Sequence, residues 1–136
     1  MDATFNTAIT ASVMDCFHEG HLNLLTEMRK IADKTIVIIH DDYSTFLNKK
    51  RFTVQPLKQR IKNLKKTGLV DKIIVTKSQS PYKEIKKALC KNCIYVRGDD
   101  WQDFPGREVL DDNKIPIRFI KYTEGVSTSQ IREQLK

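Results

Sequence analysis

The sequence predicts an α/β chain: a Rossmann-like, doubly wound, five-stranded parallel sheet with helices on both faces. Three observations predict it. Short apolar, β-branched runs alternate with segments whose apolar residues recur at helical spacing, and strand–helix alternation builds a parallel sheet covered on both sides. Right-handed crossovers make such a sheet doubly wound. Polar, unusual segments follow the first, fourth and fifth apolar runs, where doubly wound sheets bind ligands, beyond the carboxyl ends of their strands.

Residues 7–14 (TAITASVM) read as the first buried strand. A helix follows over roughly 20–32, with Leu24, Leu25 and Met28 at core spacing. Residues 35–40 (TIVIIH) form the second strand, and a polar, basic loop runs from 41 to 55. Pro56 suits the first turn of the next helix, where a missing N–H costs little. That helix carries Leu57, Ile61 and Leu64 on one side and stops near Gly68. The third strand is 70–75 (VDKIIV). Ser80-Pro81 opens a helix bearing Ile85, Leu89 and Cys90, and the fourth strand is 93–96 (CIYV). An irregular loop holds residues 101–113, the fifth strand is 115–120, and a last helix follows Ser127.

The length of 136 residues fits one domain spanning 1–136, with one real core. Apolar content of 40% excludes a disordered chain. No apolar run approaches the roughly 18–20 residues of a membrane helix, and the first residues lack a secretory pattern, so a cytoplasmic location is expected. There are 24 Lys plus Arg against 17 Asp plus Glu, a net charge of +7. The basic residues crowd into Lys49, Lys50 and Arg51, then Lys58, Arg60, Lys62, Lys65 and Lys66. That implies an anionic partner, either nucleic acid or a nucleotide and phosphorylated substrate. A solvated lysine face accounts for more than half of these charges. The cysteines are Cys16, Cys90 and Cys93, an odd number that argues against a disulfide scaffold. Cys90 and Cys93 have CxxC spacing, but a zinc ribbon needs a second pair. A redox pair more usually opens a helix, whereas this one closes a helix before a strand.

His18-Glu19-Gly20-His21 places two of the three histidines at the turn from the first strand into the first helix. A helix start offers N–H groups and a positive dipole end, which suits a phosphate, and the imidazoles can donate to phosphoryl oxygens. The alternative is two unrelated surface histidines. Gly98-Asp99-Asp100-Trp101 ends the fourth strand with two carboxylates and the single tryptophan. It reads either as an ordinary turn or as a donor-recognising edge. In residues 123–132 (TEGVSTSQIR), Ser127 and Gln130 have capping-box spacing. The run Ser127-Thr128-Ser129 would also put hydroxyls and N–H groups at a second helix start. No GxGxxG or GxxxxGK[ST] occurs, which disfavours dinucleotide and P-loop sites.

HxGH, GDD and TEGVSTS, in that order, resemble the cytidylyltransferase family of the nucleotidyltransferase superfamily. GDDW brings the chain nearest to the glycerol-3-phosphate cytidylyltransferases, and the choline- and ethanolamine-phosphate enzymes share HxGH and a similar TEG segment. The resemblance spans about residues 7–135. It implies transfer of CMP from CTP to a phosphomonoester with release of pyrophosphate, Mg²⁺ entering with the CTP and no metal ligand supplied by the protein. It also implies a homodimer, and disfavours nucleic acid or a membrane as partner.

By that resemblance His18, His21, Lys50 and Lys121 would be catalytic. Val13, Met14, Gly20, Gly98, Asp100, Trp101, Thr123, Ser127 and Thr128 would bind the nucleotide, and Asp15, Lys49 and Arg60 the acceptor. The sequence departs from the family at three places. Lys121-Tyr122 replaces the arginine before Thr-Glu-Gly, Ser12-Val13-Met14-Asp15 stands for Gly-Thr-Phe-Asp, and residues 68–74 keep only part of a dimer-linked RYVDEVI segment. An adenylyltransferase of the same superfamily is the second reading, and a non-catalytic nucleic-acid-binding domain the third.

Overall fold

A computed structural model describes residues 5–49, 53–77, 80–98 and 106–120. In chain order these form β1 (Phe5–Ser12), α1 (Glu19–Ile31), β2 (Ala32–His40), α2 (Asp42–Lys49) and α3 (Leu57–Lys66), then β3 (Lys72–Thr76), α4 (Tyr82–Ala88), β4 (Cys93–Gly98), α5 (Arg107–Asp112) and β5 (Ile117–Ile120). The sheet order is β3-β2-β1-β4-β5 and every pairing is parallel. The chain builds outward from β1 to β3, then crosses back to lay β4 on the other side of β1. The order therefore reverses between β1 and β4, which is where a doubly wound sheet opens a crevice.

Side chains alternate across each strand, and here both faces are buried, so the strands read as continuous apolar runs. Ala8, Val37, Ile39, Ile94 and Val96 meet Leu25 and Met28 of α1 and Leu64 of α3. On the opposite face Ile9, Ile38 and Tyr95 meet Ile85 and Ala88 of α4 and Leu110 of α5. Two helix layers thus cover two core layers, as the alternation predicts.

The structure differs from the sequence reading in places. The expected loop 41–55 contains α2. Asp41 starts it: its side chain accepts from Ser44 N at 2.7 Å and its carbonyl from Thr45 N at 3.1 Å, the pattern of an aspartate N-cap. The expected irregular stretch 101–113 contains α5. Gly106 precedes α5 with φ +97°, and a Cβ there would lie 2.6 Å from Ile85 Cδ1. β1 closes at Ser12, two residues earlier than read, because Met14 turns to φ +57°. The helix expected after Ser127 lies outside the described residues. Among the described residues no helix is long and apolar enough to cross a membrane.

Candidate nucleotide site

The loop joining β1 to α1 lies at the reversal of strand order. Met14 and Cys16 both adopt left-handed backbone, at φ +57° and +48°, a conformation that costs a residue with a Cβ about 1–2 kcal/mol. Both side chains are buried, and that packing offsets the cost. Asp15 between them is also buried. Its two carboxylate oxygens accept from the backbone N–H of Val54 at 2.8 Å and of Gln55 at 3.0 Å. The loop is thereby tied to the segment that enters α3.

The loop ends in a capping box built from two histidines. His18 is the N-cap of α1, with extended backbone, and its Nδ1 accepts from Gly20 N at 3.0 Å. His21, three residues on, returns the contact: its Nδ1 accepts from His18 N at 3.2 Å. Two backbone donors that a helix start leaves without intrahelical partners are satisfied this way. The rings stack with centroids 3.9 Å apart and planes 22° from parallel, and Phe17 lies 5.4 Å beyond His21.

This geometry fixes the chemistry of both imidazoles. A ring nitrogen that accepts a hydrogen bond carries no proton, so each neutral ring holds its hydrogen on Nε2. Burial lowers the His18 pKa. Burial, followed by the neighbouring His18, pushes His21 down to about 3. At neutral pH the pair presents two uncharged Nε2–H donors at the positive end of α1. Such a pair can meet an anionic oxygen by donation and dipole rather than as cations.

Arg60 is fully buried on α3. Nε donates to Gln55 O at 3.1 Å, Nη1 to Val13 O at 2.8 Å and to His40 O at 2.7 Å, and Nη2 to Asp42 Oδ1 at 2.6 Å. Four of its five N–H groups are occupied. The sequence reading placed Arg60 and Asp15 against the acceptor; both are instead turned inward. Arg60 braces the ends of β1 and β2, and Asp15 holds the entry to α3. Val13 likewise directs its carbonyl inward to Arg60.

The fold brings His18, Gly20 and His21 together, with Val13, Met14, Asp15 and Arg60 behind them. Gly98 ends β4, paired with Ile120. Lys49 is the last residue of α2. Lys50, Asp100, Trp101, Lys121, Thr123, Ser127 and Thr128 lie outside the described residues. Sequence reasoning passed over Asp42, which pairs with Arg60 and also accepts from Thr53 Oγ1 at 3.1 Å. Among the described residues no group of three or more His, Cys, Asp or Glu could hold a metal ion.

The family model described as Cytidylyltransferase-like matches residues 9–134. The chain belongs to the cytidylyltransferase-like family. It is thus a nucleotidyltransferase by family, as HxGH implied. This cytidylyltransferase-like chain is similar to the bifunctional protein HldE of Proteus mirabilis, with 29% identity over 131 residues, 94% of the chain and 27% of that protein. It is also similar to the bifunctional protein HldE of Nitrosococcus oceani, with 32% identity over 126 residues, 90% of the chain and 26% of that protein. The chain spans about a quarter of the length of these curated relatives. In fold it is similar to a lipopolysaccharide core biosynthesis protein from Thermoplasma volcanium, with TM-score 0.68, 22% identity, and 88% and 97% of the two chains covered. A bifunctional NMN adenylyltransferase/ADP ribose pyrophosphatase from Francisella tularensis shares the fold too, with TM-score 0.65, 12% identity, and 96% and 42% covered. The family match carries the superfamily, and the solved structures carry the fold.

Proposed function

We propose that this chain, as a single domain over residues 1–136, transfers CMP from CTP to a phosphomonoester and releases pyrophosphate. The observation that carries the proposal is the histidine capping box, which sets two neutral N–H donors at a helix start beside the reversal of strand order between β1 and β4. The acceptor phosphate is largely dianionic near neutral pH, because its second pKa is about 6, and needs no general base. One of its oxygens attacks the α-phosphorus of CTP in line, the bond to the pyrophosphate oxygen breaks, and no covalent enzyme intermediate forms. The barrier lies in bringing two polyanions together, so the protein contributes position and charge stabilisation. His18 and His21 would donate to phosphoryl oxygens, with Lys49, Lys50 and Lys121 neutralising charge. Gly98, Asp100 and Trp101 would recognise the base, and Thr123, Ser127 and Thr128 would hold phosphate from the second helix start.

A divalent cation would arrive on the nucleotide rather than on side chains of the protein. Bound to the polyphosphate, Mg²⁺ supplies charge neutralisation. Glycerol-3-phosphate is the favoured acceptor, on GDDW alone. A homodimer and a cytoplasmic setting complete the proposal.

The test is pyrophosphate release from CTP and from ATP, with Mg²⁺ and a panel of phospho-alcohols. Release with CTP and glycerol-3-phosphate is expected. Preference for ATP would move the reading to adenylyl transfer. No release from folded protein with any pair would overturn it, and salt-dependent RNA or DNA binding without nucleotide binding would favour the third reading. Light scattering checks the dimer.

A further inference from the structure

The base of the sheet, opposite the nucleotide crevice, carries a second chemical group. Cys90 lies two residues beyond α4 and is exposed; Cys93 is the first residue of β4 and is buried. Lys91 and Asn92 form the turn between them, and the ends of such a turn lie within about 7 Å at Cα, the reach of a disulfide. The turn between them is fixed from both sides. Asn92 takes left-handed backbone at φ +58°. Asn6, from β1, donates its backbone N–H to Asn92 O at 2.9 Å and its side-chain amide to Lys91 O at 3.3 Å. Two cysteines therefore flank one turn clamped to the sheet, one reachable from solvent and one screened.

We propose that Cys90 and Cys93 are a reversible dithiol–disulfide site that exchanges with low-molecular-weight disulfides. The Cys90 thiolate attacks the reagent's sulfur, forming a mixed disulfide and releasing one small thiolate. Cys93, as its thiolate, then attacks the Cys90 sulfur and releases the second. The pair loses two electrons and two protons, and the reagent gains them as two thiols. The position after a helix, rather than at a helix start, sets this pair apart from oxidising CxxC motifs, whose reduced form is favoured by a stabilised thiolate. Its disulfide is accordingly the resting product of exchange rather than an oxidant for other proteins. Cys16 takes no part. Cys93 pairs with Thr7 near the start of β1, and Cys16 follows the far end of that strand, roughly 15–20 Å away at the rise of an extended chain. The inference is independent of the proposed reaction.

The experiment equilibrates the reduced chain with oxidised glutathione, quenches it in acid, unfolds it, blocks free thiols with N-ethylmaleimide and maps the peptides. The expected result is loss of two of the three blockable thiols, a peptide mass lower by two hydrogens across residues 90–93, and full recovery with dithiothreitol. Cys93→Ser should halt the exchange at a glutathione adduct on Cys90, and Cys90→Ser should leave Cys93 unmodified in the folded chain. Three blocked thiols, an adduct on Cys90 that persists in the unsubstituted chain, or a Cys90–Cys90 link between two chains would each overturn the proposal.

Discussion

Replacing His21 by glutamine separates two roles that one side chain now combines. Glutamine at this position of a capping box can still accept from the N-cap N–H, so the helix start is retained while the titration is removed. In the folded chain His21 is held down to about 3, against an ordinary value of 6.5. The unfolded chain therefore takes up the proton first as pH falls. The stabilisation is complete above pH 6.5 and is lost progressively toward pH 3. With those two values, the loss between pH 7 and pH 5 is about 2 kcal/mol from this residue alone. His18, whose pKa is also lowered, acts in the same direction but is common to both proteins. Urea unfolding at pH 7, 6 and 5 reads the difference through the midpoint at constant slope. His21→Gln should match the original chain within about 1 kcal/mol at pH 7, and should show a pH dependence shallower by about 2 kcal/mol across the window. Parallel pH profiles would refute the reasoning, since they would mean that the His21 ring titrates alike in both states.

Further outcomes follow from the same geometry. His18→Asn keeps a good N-cap acceptor and deletes an Nε2–H, so stability should change by less than about 1 kcal/mol while turnover in the pyrophosphate assay falls by about 10²–10³. Arg60→Met leaves the buried carbonyl of His40 and the part-buried carbonyls of Val13 and Gln55 without this donor. At about 1–3 kcal/mol per lost partner and partial relaxation, a loss of about 3–5 kcal/mol is expected by urea unfolding, with Arg60→Lys recovering part of it. Gly106→Ala combines φ +97° with a Cβ 2.6 Å from Ile85 Cδ1, and should cost about 1–3 kcal/mol, read as a lower melting temperature.

The sheet was legible because its strands are buried on both faces, so TIVIIH and CIYV stand out without any alternation to decode. The helices α1, α3 and α4 declared themselves through apolar spacing. α2 did not, because Tyr43 and Phe46 are exposed on it and leave no core-facing period. The anion-site reading of HxGH came from its place in the chain; its capping geometry did not, because histidine is not among the usual N-cap residues. Asp15 and Arg60 were read outward because a motif supplies residue type without direction. The signal that could have corrected Arg60 was present: it lies between Leu57 and Leu64 on the inward stripe of its helix, beside Ile61. A cation there must be satisfied inside. Lys50, Lys121 and the hydroxyls at the second helix start fall outside the described residues.

The brace at Arg60 also bears on how the molecule comes apart. Its partners lie 47, 20, 18 and 5 residues away along the chain, in the loop just after β1, at the end of β2, on α2 and at the entry to α3. All four contacts can close together only once those segments have met, so the guanidinium is desolvated late on the folding route. Interactions absent from the transition state govern the rate of opening rather than the rate of closing. Arg60 then acts as a latch on the native basin. Weakening it should shorten the lifetime of the folded chain while leaving its speed of refolding nearly untouched.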